Sequence, residues 1–172
     1  MMPSRIADFA LAAGEFVRRA VGLELDGSVE SLAYVDHYLR SVGDVSDELL
    51  GLVAPALGAY FGEVVIAHLG GEWEARAEDP MEWAITIASP AGPLATFRPV
   101  AMAAEAVRRE DLDDVDASIS TPPDLTARVA QALAAASPVE EEYYYSLTGR
   151  LETIEHVVEL SAALRERDQP PQ

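Results

Sequence analysis

Gly70-Gly71-Glu72-Trp73-Glu74-Ala75-Arg76-Ala77, Trp83-Ala84-Ile85-Thr86-Ile87-Ala88 and Leu94-Ala95-Thr96-Phe97-Arg98 form the stretch in which the hydrophobic period of the chain changes. On either side apolar residues recur at helical spacing; here they alternate, as in half-buried strands. Asp79-Pro80 and Ser89-Pro90-Ala91-Gly92-Pro93 separate the segments with turn-forming residues, so the economical arrangement is a short antiparallel sheet of about three strands. Its buried face should carry Trp73, Ile85, Ile87 and Phe97, or the residues alternating with them.

Upstream, Ile6, Phe9, Ala10, Ala13, Phe16, Val17, Ala20 and Val21 trace one helical face between the start and stop marks Pro3 and Gly22. Asp26-Gly27 makes a turn, Ser28 can cap, and Leu32, Val35, Tyr38, Leu39 and Val42 give a second stripe ending at Gly43. A third helix begins near Ser46, with Asp47 and Glu48 in its first turn, and runs to Leu69. Pro55 is expected to kink it or split it. Downstream, Pro99 can open a fourth helix that runs into the acidic stretch Glu110–Asp116, and Thr121-Pro122-Pro123-Asp124 a fifth, broken at Ser137-Pro138. From Val139 to about Arg167 the pattern is helical again, with Gly149 weakening it near the start. Helices flanking a segregated antiparallel sheet make this an α+β chain, read as one domain over residues 1–168 with a disordered tail at 169–172.

Leu57-Gly58-Ala59-Tyr60-Phe61-Gly62-Glu63 followed by Gly70-Gly71-Glu72-Trp73 resembles a bacterial family of unknown function, in which a Gly-x-Tyr-x-Gly-Glu helix leads through a glycine pair and a tryptophan into a small sheet. The resemblance covers roughly Leu57 to Pro99. It implies an α+β domain and carries no activity or functional residue with it. In physical terms, Gly58 and Gly62 lie four positions apart on one helix face and admit close approach of another backbone.

The chain has 30 acidic and 12 basic residues, a formal charge of −18, and every basic residue is arginine. The lysine-free, alanine-rich composition fits a GC-rich bacterial coding sequence. A field this negative repels phosphate backbones and anionic lipid, so nucleic-acid and membrane partners are disfavoured and a basic protein partner is favoured. The same acid excess serves equally to keep a protein soluble. With no cysteine, disulfides, thiol nucleophiles and cysteine-ligated metals are excluded. Charges at Asp8, Glu15, Arg18 and Arg19 interrupt the N-terminal apolar segment, so it reads as an amphipathic helix instead of a leader. No apolar run is expected to reach the roughly 20 residues of a bilayer span, which points to a cytoplasmic protein.

Catalytic signatures are scarce. G-x-S-x-G and G-x-G-x-x-G are missing, and a Walker motif is impossible without lysine. Glu63 and His68 form a possible polar site beside the glycine-bearing helix. His37, His68 and His156 are the chain's only imidazoles. Glu152, His156 and Glu159 share a helix surface, but no second motif supplies matching ligands, so no metal and no cofactor is expected. Asp36 and His37 are adjacent and diverge.

Glu140-Glu141-Glu142-Tyr143-Tyr144-Tyr145 joins a charge run to consecutive aromatics. Helical spacing spreads these tyrosines over about 200°, so at least one should be exposed, and tyrosine is favoured at interfaces. Asp111, Asp113, Asp114 and Asp116 with Glu141, Tyr143, Tyr144 and Tyr145 are therefore the candidate binding surface. The expected function is a non-enzymatic, acidic protein-binding module of inhibitor, immunity or chaperone-like type, monomeric or homodimeric. The alternatives are an enzyme of unrecognised type using Glu63, His68 or the carboxylates near His156, and an oligomerisation domain built on the C-terminal helix.

Overall fold

A computed structural model describes residues 4–171; the start mark Pro3 and the last tail residue, Gln172, lie outside the described residues. In chain order the elements are α1 (Ser4–Val21), α2 (Leu32–Val42), α3 (Asp47–Leu69), β1 (Glu72–Glu74), β2 (Ala84–Ser89), β3 (Gly92–Phe97), α4 (Pro99–Arg108), α5 (Pro123–Ala134), α6 (Glu141–Tyr144) and α7 (Leu147–Asp168), with a single 3-10 turn at Pro80–Glu82. The chain is α+β: an antiparallel sheet of order β1-β2-β3 with helices before and after it.

The strands pair so that Trp73 faces Ile85 and Ile85 faces Phe97. Ile85, Ile87 and Phe97 are buried and Trp73 is half-buried, as the alternation requires. On the opposite face Thr86 and Thr96 share a hydroxyl hydrogen bond of 3.0 Å. The β2–β3 connection is tighter than the proline-rich segment implies, because only Pro90 and Ala91 lie outside the ladder, and a register shift at Ile87/Ala88 absorbs the mismatch. The free edge of β3 is covered by Ser120, which exchanges two backbone hydrogen bonds of 2.9 Å with Thr96.

The principal core lies between α3, its neighbours α1, α2 and α4, the sheet, and the first half of α7. α3 is capped by Ser46, whose side chain accepts from the Leu49 amide. Of the two outcomes expected at Pro55, a kink or a split, the split does not occur: α3 runs unbroken through it. Proline deprives the carbonyl four residues earlier of its amide; that residue is Gly51, which is exposed and open to water. α3 also corrects the expectation that no segment could span a bilayer. Its 23 residues are long and apolar enough, and 67% of its most apolar window is buried inside the protein. A helix apolar on every side is what a core position demands.

α3 and α4 run antiparallel, with Asp47 paired to Arg108 at one end and Gly58 against Val100 further along. A Cβ on Gly58 would lie 2.4 Å from the Val100 Cα, and one on Gly62 would lie 2.3 Å from the Trp73 indole. The close approach anticipated for this pair is therefore met once by a backbone and once by a ring. Ser28 does not cap α2 directly; it holds a turn in which its hydroxyl accepts from the Ser31 amide, one residue before the helix.

The pattern from Val139 to Arg167 is two helices. The chain breaks at Tyr145-Ser146, and Ser146 caps α7 by accepting from the Gly149 amide at 2.9 Å. Gly149 belongs to that start: a Cβ there would lie 2.0 Å from the Tyr143 carbonyl. In the tail, residues 169–171 have no regular structure and Asp168 ends α7, bound to Arg128 at 2.9 Å.

Candidate functional site

The start of α7, next to α6, draws together Asp36, Glu105 and Arg150 from among the buried polar side chains of the described residues. Asp36, on the core face of α2, is buried and accepts from the Leu147 amide at 2.7 Å and from the Thr148 amide and hydroxyl at 3.2 and 2.6 Å. Together with Ser146 it satisfies the first free amides of α7, where a carboxylate is also favoured by the helix dipole. One turn on, Arg150 donates to Glu105 of α4 at 2.7 Å, with side-chain exposures of only 4% and 7%. The other Glu105 oxygen accepts from the Leu112 amide. Arg150 is roofed by the Tyr144 ring, 4.3 Å from the guanidinium carbon, and flanked by Tyr145 at 5.7 Å.

The tyrosines thus divide their work. Tyr144 covers Arg150, and Tyr145 meets it edge-on while donating its hydroxyl to Asp111 at 2.8 Å. The Asp111 carboxylate pushes Tyr145 up to about 12. Tyr143 stays 37% exposed, and the Glu152 carboxylate beside its hydroxyl, reinforced by burial, pushes it up to about 12. Asp111 is therefore joined to the tyrosine corner, and Glu141 is exposed on α6. Asp113 and Asp114 are exposed on the preceding loop. Asp116 has a local role: it accepts from the Ser118 amide and hydroxyl and from Arg98 at 2.8 Å, and these hold it below the ordinary carboxylate range, the Ser118 bonds first.

Between α2 and α6 lies an open cleft of about 340 Å³, with Asp36 and Arg40 on the α2 side and Glu140, Glu142 and Tyr143 on the other. A narrower continuation reaches Arg109 and Tyr145. Arg109 ends α4 in the left-handed region at φ 57°, with its side chain donating to the Leu39 carbonyl.

Glu63 and His68 are engaged separately. Glu63 accepts from the Trp73 indole at 2.7 Å, tying α3 to β1, whereas His68 is bound to Glu155 of α7. Glu152, His156 and Glu159 are exposed, and among the described residues no group of three His, Asp or Glu side chains is placed to hold a metal ion. Sequence reasoning missed Asp36, Glu105 and Arg150 as the polar anchors. A signal existed, since Asp36 falls in the Leu32–Val35–Leu39 stripe and Arg150 in the Leu147–Leu151–Ile154 stripe, and a charge at a core-facing position needs a buried partner. Comparison with protein-family models, curated proteins and solved structures finds no match to this chain.

Proposed function

We propose that this chain is a non-enzymatic protein-binding module, of inhibitor, immunity or chaperone-like type, whose α6 corner and Glu110–Asp116 loop engage a basic protein partner. One observation carries the reading. Glu140, Glu141, Glu142, Asp113 and Asp114 are all exposed, and none has an arginine within ion-pair distance among the described residues. Exposed carboxylates left uncompensated steer a cationic partner and lose that pull as salt screens them. Exposed Tyr143 and Tyr144, held on a braced helix, add contact area at small entropic cost.

The test is affinity capture from the native host at low and at high ionic strength, using the wild-type chain and the Glu140→Gln/Glu141→Gln/Glu142→Gln variant. A basic protein retained by the wild type at low salt, and lost both at high salt and with the variant, supports the reading. Equal recovery by the variant, or no basic partner at low salt, overturns it.

A further inference from the structure

Tyr143 and Tyr144 are neighbours about 100° apart around the same helical turn, and they stand in similar chemical settings, but only one setting is filled. Tyr144 lies over the Arg150 guanidinium, whose counter-ion is Glu105. Tyr143 borders the α2–α6 cleft with Glu140 and Glu142 beside it and Asp36 across from it, and among the described residues no arginine of this chain lies over its ring. Asp36 is committed to the α7 amides, which leaves Glu140 and Glu142 as free acceptors. Arg40 is the one cation on the cleft wall, against three carboxylates, so the cleft retains a negative excess. Its volume of about 340 Å³ lies at the low end of the range for ligand-sized pockets, about 300–1,000 Å³, enough for a side chain and too little for a folded element.

We infer that the α2–α6 cleft receives an arginine side chain from a basic segment of the partner, its guanidinium lying against the Tyr143 ring with Glu140 and Glu142 as counter-ions. The inference rests on the protein-binding reading above and names the group recognised. Arginine is favoured over lysine because a planar, weakly hydrated guanidinium both stacks on an aromatic face and donates a fork of hydrogen bonds to carboxylates, whereas an ammonium is a strongly hydrated point charge. The Arg150–Tyr144–Glu105 arrangement is the same recognition made within the chain.

The experiment is calorimetric titration of the full chain with oligoarginine and with oligolysine of equal length at low ionic strength. Oligoarginine is expected to bind several-fold more tightly than oligolysine. Tyr143→Leu should weaken it about tenfold, Tyr143→Phe should retain it, and Glu140→Gln/Glu142→Gln should weaken it more than Asp113→Asn/Asp114→Asn on the neighbouring loop. Equal affinity for the two peptides, an unaffected Tyr143→Leu variant, or equal losses from the two carboxylate variants overturns the cleft assignment while leaving the acidic-surface reading in place. Failure of both peptides to bind overturns both.

Discussion

Where α3 crosses α4, contact is made by a missing side chain: Gly58 lets the Val100 backbone come within what would be 2.4 Å of a Cβ. At the α6–α7 corner, contact is made by polar side chains that join residues distant in the sequence, Asp36 with the Leu147 amide and Glu105 with Arg150. The first junction depends on shape and tolerates no added atom. The second depends on polar groups that are costly to bury and costlier to orphan, so it tolerates no deleted partner. One chain thus uses an apolar seam to set its core and a polar corner to anchor the start of α7, next to the short helix that carries Tyr143 and Tyr144.

The largest expected effect is at the corner. Arg150→Ala leaves Glu105 buried without its counter-ion and should cost about 4 kcal/mol of unfolding free energy in a urea titration. The double change Glu105→Leu/Arg150→Met should recover most of that loss, because it removes both charges together; a double variant no better than the single would show that the pair is not the brace. At the seam, Gly58→Ala should cost about 2–3 kcal/mol by overpacking. Gly51→Ala on the same helix, where a Cβ meets nothing within 4 Å, should stabilise by about 0.5–1 kcal/mol. Equal effects at the two glycines would dissolve the contrast between the regions.

Asp36→Ala should cost about 2 kcal/mol, since it leaves the buried Leu147 amide and the Thr148 amide without their acceptor while Ser146 still caps the Gly149 amide. Hydrogen exchange should accelerate at Leu147 and Thr148 first. The smallest effect is alkaline. The folded state keeps Tyr143 and Tyr145 neutral up to about 12, against an ordinary phenol value of about 10. Their stabilising contribution is therefore complete below pH about 10 and disappears as pH rises through about 12. A native-state absorbance titration should show these phenols ionising late, and Tyr145→Phe should remove part of that late step.

Legibility in the sequence follows the same division. The sheet, its Trp73–Ile85–Phe97 row and the helical stripes were readable because burial imposes a period on residues close in the chain. The glycine pair was readable as a close approach, though not which neighbour would fill each gap. Which of the two outcomes Pro55 would bring was not readable, because its cost depends on whether the carbonyl at Gly51 faces water, which is a tertiary fact. The candidate surface was half legible: the Glu140–Tyr145 run announced itself by composition, and the structure joins Asp111 to it through Tyr145. Its support from Asp36, Glu105 and Arg150 was not visible, because those partners lie 111 and 45 residues from the groups they hold and no local pattern encodes such a pairing.

The reach of Asp36 also bears on how the protein is made. A ribosome extrudes Asp36 ahead of Leu147 by 111 residues, so this carboxylate waits through that interval on a face that still has no lid, and it stays hydrated there. Emergence of α7 supplies the amide donors and expels that water in one event. A nascent chain stalled short of Ser146 should consequently keep the α2 surface wet and protease-sensitive, however complete its upstream helices.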